Sequence, residues 1–257
     1  MAAVSTGDYG DPLVARTDPA KAVMAAQPFV TAASAVLDID GLENTRVGGC
    51  GATVITVNWL LTAAHCVLTP LPPLAHTDVP RLVAPAQVRV RIGSADRTSG
   101  GTVRAITQID IDPEFTYPDY AHDFAALRLD QPVAATSVAV LGAVLPGTST
   151  RALVWTTTTL ADGTHPPRAA VARYAPAEIL DNGRCPFLIQ TDYVYCFDAA
   201  AGAGGFGSGG SGLFRVDNPA AISLVGVISS SGNVEQTTGI ANPVLLHSTW
   251  LRKFLPT

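Results

Sequence analysis

Between Cys196 and the run "LVGVIS" lies "GAGGFGSGGSGLF", residues 202–214, where Ser208 and Ser211 stand among glycines. A serine hydroxyl can attack a carbonyl carbon when a base takes its proton and backbone N–H groups converge on the oxyanion that forms. Glycine permits both the backbone path and the close approach of substrate that such chemistry needs. The same composition also suits a flexible linker. The four cysteines fall into two local pairs, Cys50 with Cys66 and Cys185 with Cys196. Neither pair has zinc-ribbon spacing, and no histidine cluster completes a tetrahedral site, so no metal is expected. An even count in local pairs reads as two disulfides and hence an oxidising compartment, with four reduced buried thiols as the alternative. Neither serine lies in Gly-x-Ser-x-Gly, which argues against an α/β-hydrolase.

The elements that would position these groups are short. "ATVITVNWLLTA", "QVRVRIG", "GTVRAITQIDI", "DFAALRL", "RALVWTTTT", "YVYCF", "SLVGVISSSG" and "GIANPVLL" are apolar, β-branched runs separated by Gly, Pro, Asn and Asp. That pattern predicts an antiparallel all-β chain. One amphipathic helix is expected in "LHSTWLRKFL", where Leu246, Trp250, Leu251 and Phe254 could share a face. Residues 67–86 hold five prolines and read as a long surface loop, and the first 28 residues as an arm. The chain has 257 residues, 47% hydrophobic and 14% charged, enough for a substantial core and too apolar for disorder. A net charge of −5 gives no reason to expect a nucleic-acid partner, and no run reaches the length of a membrane span. No signal peptide is visible at the start, so the chain is either cytosolic or a mature form with an added Met.

"CGATVITVNWLLTAAHC" resembles the "CGGSLI…WVLTAAHC" pattern of the trypsin/chymotrypsin-like serine peptidases, with both cysteines, the Trp and the Leu-Thr-Ala-Ala-His-Cys run in place. The resemblance implies that Cys50 and Cys66 are bonded and that His65 is the general base, a role suited to an imidazole that titrates near neutral pH. "YAHDFAALRLD" resembles the family's Asp-bearing strand and puts the carboxylate that orients the base on Asp123; His122 beside it reads as an exposed loop residue. "VWTTTT" resembles the strand around "GWGTT", with Thr156 after Trp155 where the family has glycine. "CPFLIQTDYVYC" falls where the family closes a disulfide loop, Cys185 to Cys196. "LVGVISSSG" resembles "LVGIVSWG", which gives Ser229 the role of supporting the Asp and sets Ser230, Ser231 and Gly232 along the substrate-binding strand. Gly239 falls at the specificity pocket. The implied fold is two six-stranded antiparallel β-barrels with a C-terminal helix: an arm over 1–28, a first barrel over 29–135 and a second over 136–257.

The nucleophile has three candidate registers. Counting forward from Cys196 selects Ser211, with the N–H groups of Gly209 and Ser211 as oxyanion hole. Counting backward from "SGLF" puts Gly209 at the nucleophile and leaves none; a third register selects Ser208. No serine here follows an Asp, and no "R-IVGG" junction stands near the start, so the activation salt bridge of the family's zymogens lacks both partners. The pocket base falls at about Gly205, which gives no basis for Lys or Arg preference. The leading expectation is a secreted serine endopeptidase acting on protein or peptide through Ser211, His65 and Asp123, without metal or cofactor. The alternative is an inactive member used as a binding or scaffold module.

Overall fold

The computed structural model describes residues 33–40, 50–69, 80–116, 121–133, 139–140, 144–154, 172–181, 194–199, 209–218, 221–231, 238–245 and 248–255. The arm over 1–28, Trp155, Thr156, Cys185, Gly205, Ser208 and Gly232 lie outside the described residues.

Alternation of apolar and polar side chains builds the first barrel. β1 (Ser34–Ile39), β2 (Gly51–Thr56), β3 (Trp59–Thr62), β6 (Val88–Ile92), β7 (Thr102–Ile111) and β8 (Ala125–Leu129) close in the order β1-β2-β3-β8-β7-β6. In β6, "VRVRI", the valines and the isoleucine point inward and Arg89 and Arg91 point outward. Closure leaves the barrel with no free hydrogen-bonding edge. β4 (Leu68–Thr69) pairs with β5 (Arg81–Leu82), and Val83 is buried, its N–H donating to the Val67 carbonyl at 2.9 Å. The proline-rich segment, expected as surface loop throughout, is therefore tied back onto the barrel at both ends.

The second barrel follows the same logic with smaller side chains. β10 (Ser149–Val154), β11 (Arg173–Ile179), β12 (Tyr195–Ala199), β13 (Gly212–Asn218), β14 (Ala221–Ser231) and β15 (Thr238–Pro243) run in the order β13-β10-β11-β12-β15-β14, and β13 pairs with β14 to close the ring. A short β9 (Ala139–Val140) adds to β14 in parallel. The interior is built largely on alanine, with Ile179, Phe197, Leu213, Val225 and Ile228 supplying the bulk. The fold is thus the expected pair of six-stranded barrels.

The C-terminal helix α1 (Ser248–Leu251) is shorter than its amphipathic pattern predicts, and Phe254 reaches the core from the turn that follows. Its aromatic residues dock on the first barrel: the Phe254 ring centroid lies 4.7 Å from Trp59 and 4.9 Å from Trp250. β8 departs from strict alternation, with four of its five residues buried.

Candidate active site

His65 sits on a 3-10 turn, Ala64–Val67, directly after β3. Its ring carries one side toward Asp123: Nδ1 lies 2.7 Å from Oδ2, and the His65 backbone N–H donates to Oδ1 at 2.9 Å. Asp123 is fully buried. The turn that delivers it depends on His122, which holds φ at 58° while the Phe124 N–H folds back to the His122 carbonyl at 2.7 Å. Histidine is among the few side chains that tolerate this left-handed region. The ring of His122 is half-buried, 3.3 Å from Glu114 Oε2 and 3.9 Å from Asp112 Oδ2. The expectation of an exposed His122 is therefore corrected: its left-handed backbone turns the ring in toward two acids.

A bulge supplies the next partner. β14 and β15 pair Ile228 with Ala241 and then Ser230 with Ile240, so Ser229 is the extra residue. A bulge redirects a side chain out of the regular alternation. Here the Ser229 hydroxyl donates to Asp123 Oδ2. A buried carboxylate that accepts bonds from Ser229, the His65 backbone and the His65 ring fixes the tautomer with hydrogen on Nδ1, leaving the Nε2 lone pair directed away from Asp123.

What Nε2 faces is set by residues 209–212. The Gly51 N–H donates to the Gly209 carbonyl at 2.9 Å, the Gly210 N–H to the Ile228 carbonyl at 2.7 Å, and the Ile228 N–H to the Ser211 carbonyl at 2.9 Å. These bonds stitch the segment between β2 and β14. A Cβ on Gly209 would stand 2.6 Å from His65 Nε2 and 3.0 Å from Cε1. Gly210 has φ of +75°, and a Cβ there would meet Thr62 Oγ1 and Gly51 O at under 2.5 Å, so only glycine fits.

Ser211 points elsewhere. A Cβ on Gly51 would collide with the Ser211 hydroxyl, which places that hydroxyl in the seam against β2. Ser211 is 1% exposed, and its Oγ makes no hydrogen bond among the described residues. The structure brings together His65, Asp123, Ser229 and Gly209; it does not bring the Ser211 hydroxyl to His65. Gly239 is buried in β15, opposite Phe197 and Ser231, and Ser230 and Ser231 lie on β14 beside it.

Cys50 and Cys66 form a disulfide across the base of this corner. Cys66 Sγ lies 3.5 Å from His65 Nε2 and Cys50 Sγ 4.0 Å. Cys196 is also disulfide-bonded. The proximity of this disulfide to Nε2 is a feature that spacing alone did not reveal. Among the described residues, no helix is long and apolar enough to cross a membrane.

Comparison with known proteins agrees with this architecture. The family model described as Trypsin matches residues 31–251. Hypodermin-A of Hypoderma lineatum is 32% identical over 81 residues, covering 32% of this chain and 27% of that protein. Transmembrane protease serine 11C of Mus musculus is 33% identical over 92 residues, covering 36% of this chain and 18% of its own length. The vitellin-degrading protease of Bombyx mori is 29% identical over 84 residues, covering 33% of this chain and 27% of that protein. Each alignment spans little more than a quarter of the relative, or less.

Proposed function

The chain belongs to the trypsin-like serine peptidase family, and from that premise we propose that it is a catalytically silent member, a peptide- or protein-binding module in which Gly209 stands where the nucleophile would be. One observation carries the reading: the Cβ direction of Gly209, and not the Ser211 hydroxyl, meets His65 Nε2. A Ser211 hydroxyl that His65 does not reach is not activated for acyl transfer. The oxyanion hole expected at the N–H groups of Gly209 and Ser211 belongs to the Ser211 register and loses its role with that nucleophile. His65, Asp123 and Ser229 keep the hydrogen-bonded chain of the family as structure. The β14 strand with Ser230 and Ser231, and the small residue Gly239, are the surface on which we place the bound peptide. The Cys50–Cys66 bond supports an oxidising, extracellular setting.

Fluorophosphonate labelling followed by peptide mass analysis tests the proposal. The folded chain is expected to carry no adduct on Ser208 or Ser211 above the level of a His65→Ala control. An adduct on either serine that disappears in His65→Ala would make the chain an active peptidase and identify its nucleophile.

A further inference from the structure

The corner that holds His65 also holds three potential ligand atoms, Cys50 Sγ, Cys66 Sγ and His65 Nε2, all within 4.8 Å of one another. In the folded chain as described the two sulfurs are bonded to each other and cannot bind a cation. We infer that two-electron reduction of the Cys50–Cys66 disulfide turns this corner into a site for a soft or borderline divalent cation, zinc above all, held by both cysteine sulfurs and His65 Nε2.

The geometry is close to what such an ion requires. Tetrahedral zinc with Zn–S of about 2.3 Å and Zn–N of about 2.05 Å separates sulfur from nitrogen by about 3.6 Å. The two sulfurs here stand 3.5 and 4.0 Å from Nε2. The sulfur pair must open, to about 3.8 Å in the same tetrahedral geometry, and Cys50 Sγ must close on Nε2 from 4.0 Å. The two Cα atoms, 5.9 Å apart, leave that opening to side-chain rotation.

The surroundings suit a metal as well. His65 gives its other ring nitrogen to the Asp123 carboxylate at 2.7 Å, the carboxylate–histidine arrangement that orients imidazole ligands and raises their basicity. Both cysteines are buried, where two bare thiolates would be costly and a divalent cation offsets their charge.

The chemistry balances with a dithiol as reductant. The dithiol gives two electrons and two protons and becomes a disulfide, while the Cys50–Cys66 bond breaks to two thiols. On metal binding each thiol releases its proton to solvent, and the two thiolates neutralise the cation. An oxidising setting keeps the site closed; a reducing one opens it.

Cobalt titration of the full chain, after reduction by a phosphine without oxygen, reads the site directly. The expected result is a single tetrahedral cobalt with sulfur-to-metal charge-transfer absorption, present in the reduced chain and in a Cys185→Ser/Cys196→Ser variant. It is expected to be absent from the oxidised chain and from Cys50→Ser/Cys66→Ser. Asp123→Asn is expected to weaken the affinity about 10–100-fold. The inference is overturned if the reduced chain shows no such band, if the band survives in Cys50→Ser/Cys66→Ser, or if reduction abolishes the native circular dichroism with and without cobalt. None of these outcomes depends on fluorophosphonate reactivity, which is read on the oxidised chain.

Discussion

On the proposed reading, Gly209→Ser is expected to introduce an acylation that the parent chain lacks. The new side chain would enter along the direction that ends 2.6 Å from His65 Nε2, and the base is already oriented through Nδ1 by Asp123. A nucleophile acting with its base contributes up to about 10⁶-fold in turnover in a hydrolase of this mechanism. The gain here is expected to fall short of that ceiling. A contact of 2.6 Å is tighter than a real Cβ tolerates, and reaching even 3.0 Å requires the His65 ring to retreat by at least 0.4 Å against its bonds to Asp123. The expected readout is a burst of acylation with an activated ester that is absent in the parent chain and lost again when His65→Ala is added. If Gly209→Ser stays as inert as the parent while its circular dichroism is native, Gly209 is not opposite the base.

Asp123→Ala is expected to be the most damaging single change to stability at this site. The carboxylate accepts from the His65 backbone, the His65 ring and Ser229, and it is fully buried. Its removal leaves three donors unpaired, two of them fixed in direction by the 3-10 turn and the bulge. Losing one partner of such a buried network costs about 3–5 kcal/mol. Ser229→Ala removes one bond to a charged acceptor and is expected to cost less, about 1.5–3 kcal/mol. Urea unfolding followed by circular dichroism checks both, as a lower midpoint at unchanged slope. An effect of Asp123→Ala below that of Ser229→Ala would mean that the carboxylate does not hold the corner together. The order matters for the functional reading, because it gives His65 and Asp123 a structural reason to be present if the chain is silent as proposed.

The fold was legible because its signals are repeated and local. Alternation in runs such as "VRVRI" specifies strands whichever barrel they enter, and the "LLTAAHC" stretch carries His65 and its disulfide together. Asp123 was legible from the strand that follows it, and Ser229 from "LVGVIS", although nothing in that string announces the bulge that aims its hydroxyl. His122 was misread because a left-handed backbone at a non-glycine residue leaves no mark in the sequence. The helix ran short because Phe254 reaches the core from a turn as well as from a helix.

The glycine-rich loop was the least legible part, for a physical reason. Glycine has no side chain to fix its place, so counting from Cys196 and counting from "SGLF" give different answers. In the folded chain the register is set by backbone bonds from Gly51, Gly210 and Ile228, and by the closeness of Thr62 and Gly51 to Gly210. Those constraints come from β2 and β14, far away in sequence. On the reading proposed here, the count anchored on the β13 strand is the useful one, because a strand paired on both sides cannot slip while the residues upstream of it can absorb an insertion.

The most direct test of that reading is a proton–proton Overhauser measurement on the isotope-labelled chain, centred on the Hε1 proton of the His65 ring. The expected result is a strong cross-peak from Hε1 to the Hα protons of Gly209 and none to the Hβ protons of Ser211, whose hydroxyl faces β2. A strong cross-peak to the Hβ protons of Ser208 or Ser211, with none to Gly209, would contradict it and return a serine to the base.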